Sequence, residues 1–149
     1  MSFSIVPVTE SMLDELYRIE TVCFRSPWEQ DAIKKDFSEN VCARYFAAMD
    51  GETMIGYGCL WLMMEEAHVM SLAVLPEWRR RGAGEAIMRR IRECARENGA
   101  QYMELECRRS NEGAQALYHK LGFLRVGCKK QYYEDTNEDA ILYYMPIPA

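Results

Sequence analysis

Histidine occurs only at positions 68 and 119, and none of the 6 cysteines stands in a Cys-x-x-Cys pair. That scarcity excludes the usual zinc spacings and a dithiol redox centre, and no metal is expected. Neither Gly-x-x-x-x-Gly-Lys-Ser/Thr nor Gly-x-Gly-x-x-Gly occurs, which removes the two common nucleotide loops. The longest apolar run, Met54 to Met64, is too short to span a bilayer and contains two glycines. Low-complexity tracts and internal repeats are also missing, so disorder and solenoid architectures drop out. The amino end lacks the character of a secretory leader, so a cytosolic chain with reduced cysteines is expected, most of them acting as small core hydrophobes. A net charge of -5 argues against nucleic-acid binding, and no membrane partner is expected. Oligomeric state is not fixed by the sequence.

What is present suits one α/β domain: 149 residues, of which 49% are hydrophobic and 28% charged. A first helix is expected from near Thr9 or Ser11, with Leu13, Leu16, Tyr17, Ile19, Glu20 and Phe24 on one stripe. Ser26-Pro27-Trp28-Glu29 has a capping serine, a proline at the first helical position and a glutamate three residues after the serine, which predicts a second helix to about Phe37. Strand character begins at Ala43, turns at Asp50-Gly51, returns from Met54 to Met64, turns again at Glu65-Glu66 and runs from His68 to Leu75. A helix from Glu85 to Asn98 and an alternating strand from Tyr102 to Arg108 follow. This strand, helix, strand unit makes the strands at 68–75 and 102–108 parallel. A short helix over Glu112–Leu121 and strands near Leu124–Tyr132 and Ala140–Ile147 complete a mixed sheet.

Arg79-Arg80-Arg81-Gly82-Ala83-Gly84 joins a strand to a strongly helical segment. A helix start offers unpaired N–H groups and the positive end of the macrodipole, glycines let the main chain approach an anion, and arginines add charge. Seven arginines lie between Arg79 and Arg96 in a chain that is acidic overall. A confined site for a small phosphorylated ligand, with a pyrophosphate as the expected group, fits that distribution better than a long polyanion.

Arg79-x-x-Gly82-x-Gly84 after a hydrophobic strand, with Asn111, Tyr118 and Gly122-Phe123 downstream, resembles the GCN5-related N-acetyltransferases over nearly the whole chain. The resemblance implies a single-domain fold over residues 1–149: a twisted, mostly antiparallel mixed sheet, a splayed central parallel pair and about four helices. It implies acetyl-coenzyme A as co-substrate, its pyrophosphate held by Arg79, Arg80, Arg81, Gly82, Ala83 and Gly84. The backbone of Leu72, Ala73 and Val74 would pair with the amides of the pantetheine arm, as an added strand would. Asn111 would bond the cofactor arm or cap the short helix.

A narrower likeness is to the RimI group, which acetylates the N-terminal alanine of ribosomal small-subunit protein eighteen. It is carried by Pro27-Trp28, Ser71-Leu72-Ala73-Val74, Glu106 to Asn111, Ala116-Leu117-Tyr118, Tyr132-Tyr133 and Glu138-Asp139-Ala140. The one departure is Cys107, where that group usually has an aliphatic residue. The likeness implies Glu106 as general base, directly or through water, and Tyr118 as general acid toward the coenzyme A sulfur. By spacing alone Glu106 is no better placed than Glu104, and Tyr118 could equally be a core aromatic. Tyr132 and Tyr133 would flank the incoming N-terminus, and a carboxylate among Glu134, Asp135, Glu138 and Asp139 would favour a basic residue following the acetylated one, the alternative being a solvated hairpin tip with the tyrosine pair packed on the sheet. Phe24 and Trp28 would line the groove or form a hydrophobic staple around the second helix. Neither histidine is expected to take part. The implied activity is acetylation of a protein N-terminus; alternatives are a small-amine acetyltransferase of the same fold and a coenzyme A sensor without turnover.

Overall fold

Apolar residues recur at every second position in the strands and at helical spacing in the long amphipathic segment, and the layers of the fold follow from these two periods. The computed structural model describes residues 3–148. Seven strands form one sheet in the order β1-β2-β3-β4-β5-β7-β6. They are β1 (Ser4–Pro7), β2 (Ala43–Asp50), β3 (Thr53–Met63), β4 (Glu66–Val74), β5 (Tyr102–Arg108), β6 (Leu124–Tyr133) and β7 (Glu138–Pro146). The helices are α1 (Leu13–Cys23), α2 (Gln30–Glu39), α3 (Ala83–Glu97) and α4 (Glu112–Lys120). Helices α1 and α2 cover one face, where Leu16, Ile19 and Ile33 pack on Tyr45, Tyr57, Cys59 and Ala73. Helices α3 and α4 cover the other, where Ile87, Met88, Ile91 and Tyr118 meet Leu60, Met103, Leu105 and Tyr143.

Every strand pair is antiparallel except β4 with β5. That pair holds register only at Glu66 with Tyr102, Ala67 with Met103 and His68 with Glu104. Beyond it the strands separate, for a reason visible in their other edges. Strand β4 follows β3 through a bulge, because Leu60 opposes Val69 while Cys59 opposes Ser71, leaving Met70 as the extra residue. A bulge bends its strand and increases the local twist. Strand β5 instead stays in unbroken register with β7 as far as Arg108 opposite Ala140. The expected splayed pair is therefore present, with Met70 at its vertex.

Three expectations need correction. Strand β1 lies in a segment where none was expected. Strand β4 begins at Glu66, two residues early, because the turn sits at Met64, which adopts a φ of 57°. The second helix begins at Gln30 with Glu29 in the capping position, not at Ser26-Pro27. Ser26 donates its hydroxyl hydrogen bond to Asp135 Oδ2 at 2.8 Å, and the Trp28 N–H donates to Glu20 Oε2 at 2.9 Å. The buried Glu20 also accepts from the Tyr57 hydroxyl, so α1, β3 and the α1–α2 loop share one carboxylate. Such a group is stable inside the fold only because hydrogen bonds replace its lost water. The cysteines are all free, with Cys59, Cys94 and Cys107 buried and Cys128 exposed.

Candidate active site

The open end of the β4–β5 pair is reached from both faces of the sheet. On the α3 side, the loop after β4 turns through residues 76–78 and enters α3 at Gly82, whose φ of 92° lies in the left-handed region. Arg80 also has a positive φ, 62°. These turns aim the first N–H groups of α3 outward, where a helix start has no internal acceptors for them. Gly84 has a different role from Gly82: a Cβ there would stand 3.2 Å from Leu117 Cδ2, so its bare Cα lets α4 close on α3.

The arginine run divides by position. Arg89 and Lys120 engage Glu85 at 2.9 and 2.8 Å, and Arg96 engages Glu93 at 3.1 Å. These cations neutralise their neighbours. Arg79, Arg80 and Arg81 are exposed at the helix start. Arg79 Nε donates to the Val74 carbonyl at 2.9 Å, and the Arg81 guanidinium lies 5.0 Å from the centre of the Trp78 ring. Both contacts fix the side chains while leaving charge beside the loop.

The opened edge of β4 supplies the next layer. The Leu75 N–H donates to the Ile55 carbonyl at 2.9 Å, so residues 75 and 73 turn their amide groups toward β3. Strand alternation then turns the amides of Leu72 and Val74 toward the cleft. Ala73, expected to contribute to that edge, turns its carbonyl toward β3 instead, where it would stand 2.7 Å from a Cβ on Gly56.

Glu106 and Tyr118 approach the opening from opposite faces. Cys107 shares the α3–α4 core with Tyr118, and strand alternation places Glu106 on the α1–α2 face. Tyr118 packs 5.7 Å from the ring centres of both Phe123 and Tyr143. No described residue hydrogen-bonds its hydroxyl, yet no buried side-chain oxygen among the described residues lacks a partner, so that hydroxyl keeps a little exposed surface although the residue as a whole is buried. Burial raises its pKa above the ordinary phenol value and keeps it protonated. Asn111 caps α4, its Oδ1 accepting from the Ala114 N–H at 3.1 Å.

Glu106 does not stand alone. Its Oε1 lies 2.9 Å from His68 Nε2, and its Oε2 accepts from the Tyr132 hydroxyl at 3.3 Å. His68 Nδ1 lies 3.1 Å from Glu66 Oε2. The hydrogen bond from His68 depresses the Glu106 pKa against the opposing effect of burial, and the same bond raises that of His68. This network is the part of the site that sequence reasoning missed. Glu66, His68 and Glu104 also bring donor atoms within 4.8 Å of one another, but both imidazole nitrogens are already engaged by carboxylates.

The remaining wall is the β6–β7 hairpin. A bulge between Lys129 and Tyr133, with Gln131 at a φ of 50° and its N–H held by Asp139, swings Tyr132 over Glu106. Tyr133 packs edge-on to Tyr132 and lies beneath Arg108, whose guanidinium is 4.1 Å from the ring centre. Trp28 is partly buried in the α1 core. Three of the hairpin carboxylates expected to attract substrate are occupied: Asp135 and Glu138 by Arg108, and Asp139 by Arg109 and Lys130. Glu66 and Glu104 gather instead around His68, the imidazole that also meets Glu106.

The chain is similar to known acetyltransferases in sequence and in fold. A ribosomal protein bS18 alanine N-acetyltransferase of Escherichia coli K12 is 32% identical over 139 residues, 91% of each chain. A candidate enzyme of the same name from Bacillus subtilis is 36% identical over 135 residues, covering 91% of this chain and 89% of that protein. The crystal structure of the Escherichia coli ribosomal-protein-S18-alanine N-acetyltransferase superposes with a TM-score of 0.90 at 27% identity, covering 99% of this chain and 96% of that one. Ard1 from Thermoplasma volcanium shares the fold with a TM-score of 0.88 at 20% identity. With the family model for GNAT acetyltransferases matching residues 13–123, this chain belongs to the GNAT family of N-acetyltransferases.

Proposed function

We propose that the protein transfers the acetyl group of acetyl-coenzyme A to the N-terminal α-amine of a protein, with the N-terminal alanine of ribosomal protein bS18 as the substrate. The carrying observation is the opening of β4 from β5 beyond His68, with the N-terminus of α3 at one end and Glu106 on its flank. In this reading the exposed Arg79–Arg81 and the first N–H groups of α3 hold the pyrophosphate, and Leu72 and Val74 hold the pantetheine amides. The substrate choice rests on the relatives from Escherichia coli and Bacillus subtilis, whose names give that reaction.

The amine attacks the thioester carbonyl, so one proton leaves nitrogen and one reaches sulfur. Glu106 takes the first, and the Tyr118 hydroxyl, kept protonated by burial, gives the second. An α-amine with a pKa of about 7.7–8.0 is already neutral in roughly a tenth of molecules at pH 7, so a carboxylate suffices as base. Lysine, with a pKa near 10.4, offers far less neutral amine. The test is release of free coenzyme A against peptides beginning with alanine, serine, threonine or methionine, and against the alanine peptide blocked at its N-terminus. Turnover of the free alanine peptide and none of the blocked one is expected; a blocked peptide acetylated on lysine overturns the assignment.

A further inference from the structure

We infer that Glu66, His68 and Glu104 bind a divalent cation of the zinc class and that, resting on the acetyl-transfer reading of Glu106, the bound ion slows turnover. The spacing of these residues in the sequence gives no sign of a site. Strands β4 and β5 bring residues 66 and 68 to residue 104 only through their short parallel register, with His68 opposite Glu104. One donor atom of each side chain lies within 4.8 Å of those of the other two. Imidazole nitrogen and carboxylate oxygen are donors that zinc and its first-row neighbours take, and three protein ligands leave a fourth position for water.

The two carboxylates on the imidazole are not equivalent. Nε2 makes the shorter contact, 2.9 Å to Glu106 Oε1, so the neutral ring keeps its proton there and donates it to Glu106. Nδ1 then points a lone pair at Glu66 Oε2, 3.1 Å away. Two acceptors that close repel unless a cation stands between them. Tetrahedral bonds of about 2.0–2.2 Å put neighbouring donors about 3.3 Å apart, so an ion fits between Nδ1 and Glu66 with almost no movement. Rotation of the Glu104 side chain completes the set. The Nε2–H bond to Glu106 then becomes the carboxylate–histidine–metal arrangement that orients metal-binding imidazoles.

Charge and access agree with a metal. Among the described residues no lysine or arginine pairs with Glu66 or Glu104, whereas Asp135, Glu138 and Asp139 of the neighbouring hairpin each hold one. Ala67, Val69, Met103 and Leu105 face the α3 core, so strand alternation puts Glu66, His68 and Glu104 on the opposite side. There the α1–α2 core ends at β4 among the described residues, and the Glu66 and His68 side chains are 26% and 19% exposed. A hydrated ion can therefore reach them. A dication on Nδ1 makes Nε2–H a stronger donor and stands behind the Glu106 carboxylate, which lowers its affinity for the proton of the amine.

The experiment uses the intact protein, stripped of metal, and reads binding apart from activity. By calorimetry Zn²⁺ should bind with one equivalent per chain, and Mg²⁺ should not replace it. Co²⁺ should give a spectrum without the sulfur charge-transfer band of a thiolate site and should broaden the NMR signals of His68 while sparing His119, the only other histidine. His68→Gln and Glu104→Gln should each weaken Zn²⁺ binding by ~10-fold or more, whereas Cys128→Ser, at the exposed thiol, should not. Acetylated peptide is then measured by mass, which keeps the coenzyme A thiol out of the readout. Zn²⁺ should lower kcat of the wild type by ~10-fold or more, and the ratio of metal-free to metal-loaded kcat in Glu104→Gln should stay near one. Absence of binding, binding that survives His68→Gln, or binding lost in Cys128→Ser overturns the site, and a proton on Nδ1 or the thiols take its place. Binding through His68 at unchanged kcat overturns the slowing of turnover. A protein that binds Zn²⁺ through His68 and acetylates no peptide overturns the acetyl-transfer reading and leaves the metal site supported.

Discussion

Tyr118 contributes a ring to the α3–α4 core and, in the proposed reaction, a hydroxyl as the acid, and removing the oxygen separates these roles. Tyr118→Phe keeps the packing, so coenzyme A affinity by calorimetry should change by less than about 2-fold while kcat falls by ~100-fold, within the usual range for a lost general acid. The Glu106–His68 pair has its own signature in stability. His68 has a raised pKa, so its contribution is complete below its ordinary value of 6.5 and is lost as pH rises through the folded value. Glu106 has a lowered pKa, so its contribution is present above its ordinary value of 4.5 and is lost as pH falls through the folded value. Both act together between 4.5 and 6.5, and the difference in melting temperature between the wild type and His68→Gln should peak in that window. A difference that is flat from pH 4 to 9 contradicts the ion pair.

Among the elements, the loop into α3 shows how backbone geometry makes an anion site from a short motif. Gly82 holds a φ of 92°, with no atom near the place a Cβ would occupy, so the cost of a side chain there is conformational and not steric. Gly82→Ala should destabilise the fold by about 1–2 kcal/mol in denaturant titrations and weaken coenzyme A binding by re-aiming the first N–H groups of α3. Unchanged affinity would detach the loop from the phosphates. The Arg/Gly motif, the two long helices and the parallel pair could all be read from the sequence, because each rests on local spacing. Strand β1 could not: it is four residues long and ends in Pro7, and it exists by pairing with β2 across forty residues of chain. The start of α2 misled for a related reason, since Ser26 and Trp28 spend their local capping potential on Asp135 and Glu20. His68 was invisible as a partner of Glu106 because their meeting depends on the β4–β5 register and the bulge at Met70, neither of which leaves a mark in the spacing of residues 68 and 106.

For the whole molecule, the two walls of the proposed peptide groove come from distant parts of the chain, the α1–α2 loop and the β6–β7 hairpin, and among the described residues one side-chain hydrogen bond ties them. Ser26 donates to Asp135 Oδ2 at 2.8 Å, and Asp135 is gripped in turn by both guanidinium nitrogens of Arg108 at the end of β5. The Arg108 guanidinium and the Ser26 hydroxyl hold the Asp135 carboxyl down at about 2, so the tie persists across the working pH range. Its position makes it a matter of substrate capture, since none of its members bears on Glu106 or Tyr118. Ser26→Ala leaves the Arg108–Asp135 pair intact and frees only the loop. A loosened wall must be ordered again each time a peptide binds, and ordering a few side chains costs about 0.5–1.5 kcal/mol apiece. The expected result is a peptide KM raised by roughly 3–10-fold, with kcat and the affinity for coenzyme A little changed. A fall in kcat at unchanged KM would instead place the tie in the chemical step, and would mean that the two walls carry the reacting groups as well as the peptide.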